Sequence, residues 1–290
     1  MANLRDIKRR IKSVQSTQKI TRAMKMVAAS KLRRSQDAIV QARPYAYHMR
    51  DLVNSVARRA QGATHPLLSQ RDGGKIGLLV ITSDKGLCGG FNANLINETQ
   101  RLLQGQFQGR EVVLVVVGRK GYDILRRRGY EIHASYPGQL DRAVFRTSEW
   151  ITENLVQEYL NNEVSEVYCL YNEFRSAVQQ VCTLERMLPF VADLEEGEEA
   201  DSGHLPLDYI YEPSQEAIFE ALLLKNLEVQ LHRILYESAA SEFGARMTAM
   251  DSATRNAGDM IGRLTLQYNR VRQDAITTQL IEVVSGAEAL

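Results

Sequence analysis

The sequence has 290 residues, 36 Lys and Arg against 35 Asp and Glu, 44% hydrophobic content and three cysteines. Length suggests about two domains, and the longest apolar runs, 76–81 and 112–117, are strand-sized and far short of the roughly 20 residues that cross a bilayer. No membrane span is expected. The first residues, Met-Ala-Asn-Leu-Arg-Asp, have no apolar stretch of signal type, so neither export nor a cleaved transit peptide is expected.

The charge is unevenly distributed. Residues 1–60 carry 15 basic side chains against 3 acidic ones, residues 61–213 carry 14 against 22, and residues 214–290 carry 7 against 10. A neutral total therefore hides a strongly basic N-terminal arm suited to an acidic partner.

In chain order, residues 1–58 contain no Gly and one Pro, Pro44. Leu4, Ile7, Ile11, Val14, Gln18 and Thr21 alternate spacings of three and four, the signature of a coiled-coil helix. The pattern is expected to continue one position out of phase through Ile20, Met24 and Val27, as a straight helix drifts against a heptad. Residues 75–82, 112–117, 166–171 and 177–188 read as strands, separated by helical stretches near 92–107, 119–128 and 143–162. That alternation argues an α/β domain with a largely parallel sheet. The acidic stretch 193–204 reads as a solvated, mobile loop.

From Pro213 to about residue 287 no further proline occurs. Met247, Met250, Thr254, Ala257, Ile261, Leu264, Tyr268, Val271 and Ala275 keep the three-four spacing unbroken, which predicts a second and longer helix. The fold class is thus α/β plus coiled coil. An antiparallel two-helix coiled coil is formed by 1–60 and 213–290, with a Rossmann-like α/β domain over 61–212 inserted between them. The last helix is longer by roughly 20 residues on this count, so 277–290 is expected to run past its partner. Leu280, Ile281, Val283 and Val284 then make an apolar tip, and such a tip marks an interaction site.

No catalytic, metal or nucleotide-binding residue is assigned and no cofactor is expected. The loop at Gly86, Gly89 and Gly90 follows a strand but lacks both the Gly-x-Gly-x-x-Gly and the Gly-x-x-x-x-Gly-Lys-Ser/Thr spacing, and Gly118 and Gly121 are closer together still. Both loops read as tight strand-to-helix turns. The five histidines are scattered, and Cys88, Cys169 and Cys182 read as reduced thiols. For the basic arm, single-strand nucleic-acid binding would want interleaved aromatics, and 1–60 offers only Tyr45 and Tyr47. Acidic protein loops suit it better. A basic coiled-coil nucleic-acid-binding protein stands as the alternative, and an α/β enzyme whose site residues meet only in space as a third reading.

Four separated motifs carry a family resemblance over essentially the whole length: STQKITRAMKMVAASK at 16–31, DKGLCGG at 84–90, DYIYEP at 208–213, and RQDAIT at 272–277 with VSGA at 284–287. The chain resembles the γ subunit of bacterial F-type ATP synthase. One departure is Gln279, where the family usually carries Glu, and the disulfide-bearing insertion of chloroplast members is missing, so thiol regulation is not expected. The resemblance implies a non-catalytic central rotor stalk. Its partners would be three α and three β subunits, the ε subunit and the c-subunit ring, with one copy in a complex held peripherally on the cytoplasmic side of the cell inner membrane. It further implies that Met24, Lys25 and Arg246 meet acidic loops of β, that Arg272, Gln273 and Thr277 make polar contacts to β, and that Leu280, Val283 and Val284 sit in an apolar sleeve. Tyr209, Tyr211 and Glu212 would meet the c ring. On spacing alone Met24 fits coiled-coil core packing equally well, and Tyr209 and Tyr211 fit an ordinary domain surface.

Overall fold

The computed structural model describes residues 4–59, 66–69, 71, 73–138, 144–190, 212 and 215–288. The expected acidic loop at 193–204 lies outside them. The elements in order are α1 (Leu4–Arg59), β1 (Lys75–Ile81), α2 (Phe91–Gln104), β2 (Val112–Val117), α3 (Arg119–Arg127), β3 (Ala134–Tyr136), α4 (Val144–Leu160), β4 (Val164–Phe174), β5 (Gln180–Leu188) and α5 (Gln215–Glu288). Two long helices and a central mixed sheet are therefore present, as the pattern predicts. The chain divides into two compact units, Met1–Ser30 with Arg246–Leu290, and Lys31–Ala245.

In the larger unit the sheet order is β3-β2-β1-β4-β5. The first four strands are parallel and β5 is antiparallel to β4. β1 is buried from Ile76 to Ile81 because helices cover both faces, which is why it reads as a continuous apolar run. Side chains alternate along it. Leu79 and Ile81 join Val115 and Val117 on one face, packed against α4 and against Val53, Val56, Phe219, Leu223, Leu227 and Leu231 of the two long helices. Ile76, Leu78 and Val80 join Leu114 and Val116 on the other, under Phe91, Leu95, Ile96 and Leu102 of α2 and Leu125 of α3.

Two strand readings need adjustment. β3, only Ala-Ser-Tyr, has no apolar run to announce it and exists because β2 offers it an edge. The last strand is Gln180–Leu188, shorter than 177–188, because Ser176 and Gln179 close a turn with a Ser176 N–H bond to the Gln179 carbonyl at 3.0 Å.

In the smaller unit, segments of α1 and α5 pair antiparallel. Lys25 meets Asp251 at 2.5 Å, while Gln18 Nε2 donates to the Thr254 carbonyl at 3.4 Å and Thr254 Oγ1 donates to Thr21 Oγ1 at 2.8 Å, so numbers rise on one helix as they fall on the other. The α5 seam is the expected one: Met250 and Ala257 are buried, and Met247, Thr254, Ile261, Leu264, Tyr268, Val271 and Ala275 half-buried. On α1 the expected phase drift does not occur. Ile20 and Val27 are 56% and 57% exposed, and the stripe continues in register through Thr21, Lys25 and Ala28. Supercoiling holds the period at 3.5 residues, and small residues at Thr21, Ala28 and Ala257 let the backbones approach. Apolar character at 20 and 27 thus belongs to the outer surface.

Candidate partner-binding surfaces

The glycine-bearing loops are closed by their own side chains. Asn92 Oδ1 accepts from the Ser83 backbone N–H at 3.0 Å, and Ser83 Oγ donates to the Lys85 carbonyl at 2.8 Å. Asp84 Oδ1 accepts from the N–H groups of Arg119 and Gly138 at 3.0 and 2.7 Å. Thr82 Oγ1 donates to the Val117 carbonyl at 2.8 Å and accepts from Gly121 N–H at 2.9 Å. Gly118 adopts φ +90°, and a Cβ there would stand 2.1 Å from the Thr82 carbonyl oxygen. These glycines let the turn into α3 lie directly on the end of β1. At the switch point between β1 and β4, Asn172 Nδ2 donates to the Phe91 carbonyl at 3.4 Å and bridges the crevice where an open α/β sheet would admit a ligand. Among the described residues no group of three or more His, Cys, Asp or Glu could hold a metal ion.

The cysteines are free thiols, Cys88 and Cys169 buried and Cys182 half-buried. Burial, reinforced by the charge of Glu98, pushes the Cys182 thiol up to about 12, and burial raises Cys169 well above its ordinary value. At the N-terminal ends of the strands a cavity is lined by Arg71, Lys75, Arg110, Glu111 and Glu166, and four of these side chains are joined in two ion pairs. Arg110 meets Glu166 at 2.6 Å and Lys75 meets Glu111 at 2.6 Å. Burial alone would raise the Glu166 carboxyl, but the Tyr168 hydroxyl and the Arg110 guanidinium hold it below its usual range.

Among the described residues, most open apolar surface lies on the long helices. In the smaller unit every described residue of α5 from Ile276 to Ser285 is exposed: Leu280 and Ile281 at 60%, Val283 at 71% and Val284 at 56%. The seam ends at Ala275, so the apolar end has no partner helix among the described residues. Arg272, Gln273 and Thr277 are exposed beside it, on faces that the seam leaves to solvent. Further along, Lys25 is engaged by Asp251, whose carboxyl that ammonium holds below its ordinary value. Arg255 adds a second contact to Asp251 at 3.2 Å. Met24 is half-buried, and Arg246 is 8% exposed. The register set by the Lys25–Asp251 and Thr21–Thr254 pairs brings position 246 about one helical turn from Lys25. Met24, Lys25 and Arg246 thus fall on one stretch of the helix pair. Glu212 is exposed; Tyr209 and Tyr211 lie outside the described residues.

Comparison with known proteins decides the family. The ATP synthase family model matches residues 3–290. An ATP synthase gamma chain from Geobacter metallireducens is 47% identical over 291 residues, covering 100% of this chain and 99% of that one, and another from Moorella thermoacetica is 47% identical over 290 residues with 100% coverage of both. The chain belongs to the ATP synthase gamma chain family. Among solved structures, the central stalk and c-ring structure of the Tetrahymena thermophila mitochondrial ATP synthase matches 81% of this chain and 99% of that chain with a TM-score of 0.62 at 26% identity. A Euglena gracilis mitochondrial ATP synthase chain, with a TM-score of 0.69 over 99% of this chain at 18% identity, shares the fold.

As a gamma chain family member, the protein is a subunit of an ATPase complex. No helix among the described residues is long and apolar enough to cross a membrane.

One polar cluster of this gamma chain fold was not legible from spacing. In the larger unit Arg233 of α5 reaches Glu185 of β5 with both oxygens, Nη2 to Oε1 at 2.7 Å and to Oε2 at 2.9 Å. Its Nη1 lies 3.4 Å from Tyr171 Oη of β4 and 3.5 Å from Glu237 Oε1, and its Nε donates to Gln230 Oε1 at 3.0 Å. Tyr171 Oη donates to Glu185 Oε2 at 2.9 Å, and Arg43 of α1 closes on Glu237 Oε1 at 3.3 Å. The Arg233 and Glu237 side chains are 12% and 2% exposed. Burial, opposed by Arg233 and Arg43, raises the Glu237 carboxyl. Burial and the Glu185 charge raise the Tyr171 hydroxyl.

Proposed function

We propose that the chain is the central rotor stalk of an F-type ATP synthase, coupling ion-driven rotation of a membrane c ring to ATP synthesis or hydrolysis on the α and β subunits. The observation that carries this reading is the bare apolar end of α5 beyond Ala275, an interaction surface on a chain of the gamma family. In this reading one copy stands within three α and three β subunits, bound also to ε and the c ring. The segments 1–60 and 213–290 supply the helical stalk and 61–212 the inserted α/β domain. The chain makes and breaks no covalent bond. Its asymmetric surface favours a different conformation of each β subunit at each orientation, which is coupling through differential contact.

The site residues divide by chemistry. Leu280, Val283 and Val284 form an apolar bearing whose contacts are non-directional and change little on rotation. Arg272, Gln273 and Thr277 supply directional hydrogen bonds at particular angles. Met24, Lys25 and Arg246 meet acidic loops of β, with Lys25 exchanging Asp251 for a carboxylate of the partner. Tyr209, Tyr211 and Glu212 meet the c ring, through which the chain is held peripherally at the cytoplasmic side of the cell inner membrane. The nucleic-acid alternative is left without support, because the chain belongs to the gamma chain family, and Lys25 and Arg43 of the basic helix are held by carboxylates of α5 while Lys31 stands over the Phe243 ring at 5.2 Å. The test is to mix purified chain with α and β subunits and measure co-elution and ATP hydrolysis. A stoichiometric, hydrolysing complex is expected, and failure to form one would refute the reading.

A further inference from the structure

We propose that the Arg233 cluster is a torsional anchor, a set of positioning residues that locks both long helices to the sheet so that the larger unit turns as one body under load. The inference rests on the rotor reading above. Its first support is connectivity. One guanidinium ties α5 to β5 through Glu185 and to β4 through Tyr171, while Glu237 carries the tie on to Arg43 of α1, so four separate elements meet in one connected cluster.

The second support is directionality. The surrounding packing of α5 against the sheet uses Leu227, Leu231, Ile234 and Leu235. Those side chains resist separation but resist sliding or rotation of the helix about its own axis only weakly. The planar guanidinium, with Nη2 on both Glu185 oxygens at 2.7 and 2.9 Å, Nη1 on Tyr171 and Nε on Gln230, tolerates neither, since such bonds fail after a displacement of about 1 Å. Gln230, Arg233 and Glu237 fall on one face of α5 at spacings of three and four, and Gln230 Nε2 also donates to the Ala46 carbonyl of α1 at 3.1 Å. The anchor therefore spans two helical turns rather than one point.

The third support is energetic. A buried ionic cluster is commonly no more stabilising than apolar residues of the same shape. Keeping Arg233 and Glu237 nearly inaccessible to water thus calls for a role that apolar packing does not fill, and resistance to twist is one.

The test uses the complete enzyme reconstituted in vesicles, carrying Arg233→Met, Glu185→Leu, Glu237→Met, Tyr171→Phe and Gln230→Leu together, a combination that removes the buried partners as a set and leaves only Arg43, whose side chain is 37% exposed. Thermal unfolding of the isolated chain should not fall below wild type, because apolar replacement of a buried ionic cluster is commonly neutral or stabilising, and ATP hydrolysis by the soluble α/β/γ complex should stay near wild type, whereas ATP-driven ion pumping against an imposed gradient should fall severalfold. Arg233→Lys, which keeps the charge but loses the fork, should pump at an intermediate level. Unchanged pumping per ATP in the fivefold variant, or a parallel loss of pumping and hydrolysis, would overturn the anchor. A wild-type chain that fails to assemble with α and β would instead overturn the rotor reading.

Discussion

Replacing Gly118 by Ala tests whether the glycines at the strand ends serve close packing. At φ +90° and ψ 140° an L side chain costs about 1–3 kcal/mol in backbone strain. The new Cβ, 2.1 Å from the Thr82 carbonyl oxygen and 2.6 Å from its carbon, must also push the end of β1 away. That displacement strains three hydrogen bonds: Thr82 N–H to the Val117 carbonyl at 2.8 Å, Thr82 Oγ1 to the same carbonyl at 2.8 Å, and Gly121 N–H to Thr82 Oγ1 at 2.9 Å. At about 1 kcal/mol each, the total loss with the strain comes to about 4–6 kcal/mol, against the 5–15 typical of a folded domain. The assay is urea unfolding followed by fluorescence of Trp150, the single tryptophan, which stands half-exposed on α4 of the same unit. Gly109→Ala is the control. Its φ is +83° but nothing lies within 4 Å of the added carbon, so only the strain of about 1–2 kcal/mol is expected. A Gly118→Ala loss no larger than that of Gly109→Ala would refute the close-packing account.

Four further outcomes are expected. Replacing Arg272 and Gln273 together by Ala should reduce ATP turnover of the reconstituted complex more than truncation after Val284, and equal losses would remove the distinction between directional and bearing contacts. Leu280→Asp with Val284→Asp should leave unfolding of the isolated chain unchanged to within about 0.5 kcal/mol, yet weaken co-elution with α and β. With Cys182 raised to about 12 and Cys88 and Cys169 buried, thiolates are scarce at pH 8, so an aromatic disulfide reagent should label the chain quickly only after unfolding. Glu166 is held below its ordinary value, so it contributes stability above the usual carboxylate range that is lost as pH falls through its folded value. The stability gap between wild type and Glu166→Gln should therefore be present at neutral pH and close in acid.

The two long helices and the strand cores were legible because burial imposes period on sequence: 3.5 residues along the α5 seam from Met247 to Ala275, and continuous apolar runs in β1 and β2 where helices cover both faces. Ile20 and Val27 misled because an apolar side chain facing outward reads the same as one facing inward. β3 escaped notice because Ala134–Tyr136 is held by its neighbour strand rather than by its own composition. The bare apolar end was foreseen from helix lengths alone. The Arg233 cluster was not, since Arg43, Tyr171, Glu185 and the α5 pair Arg233 and Glu237 come from four elements, and each reads singly as an ordinary surface charge or a strand tyrosine.

The apolar end of α5 is already helical through Glu288 although it has no partner helix among the described residues. An isolated peptide of that length would be mostly unfolded in water, because forming the first turn is the unfavourable step. Here that turn exists already, supplied by the paired stretch that ends at Ala275, and residues 276–288 merely extend it. A protein closing around this end meets a preformed rod and has little backbone entropy to remove. The contact can accordingly be slippery without being weak, a combination a floppy tail could not offer.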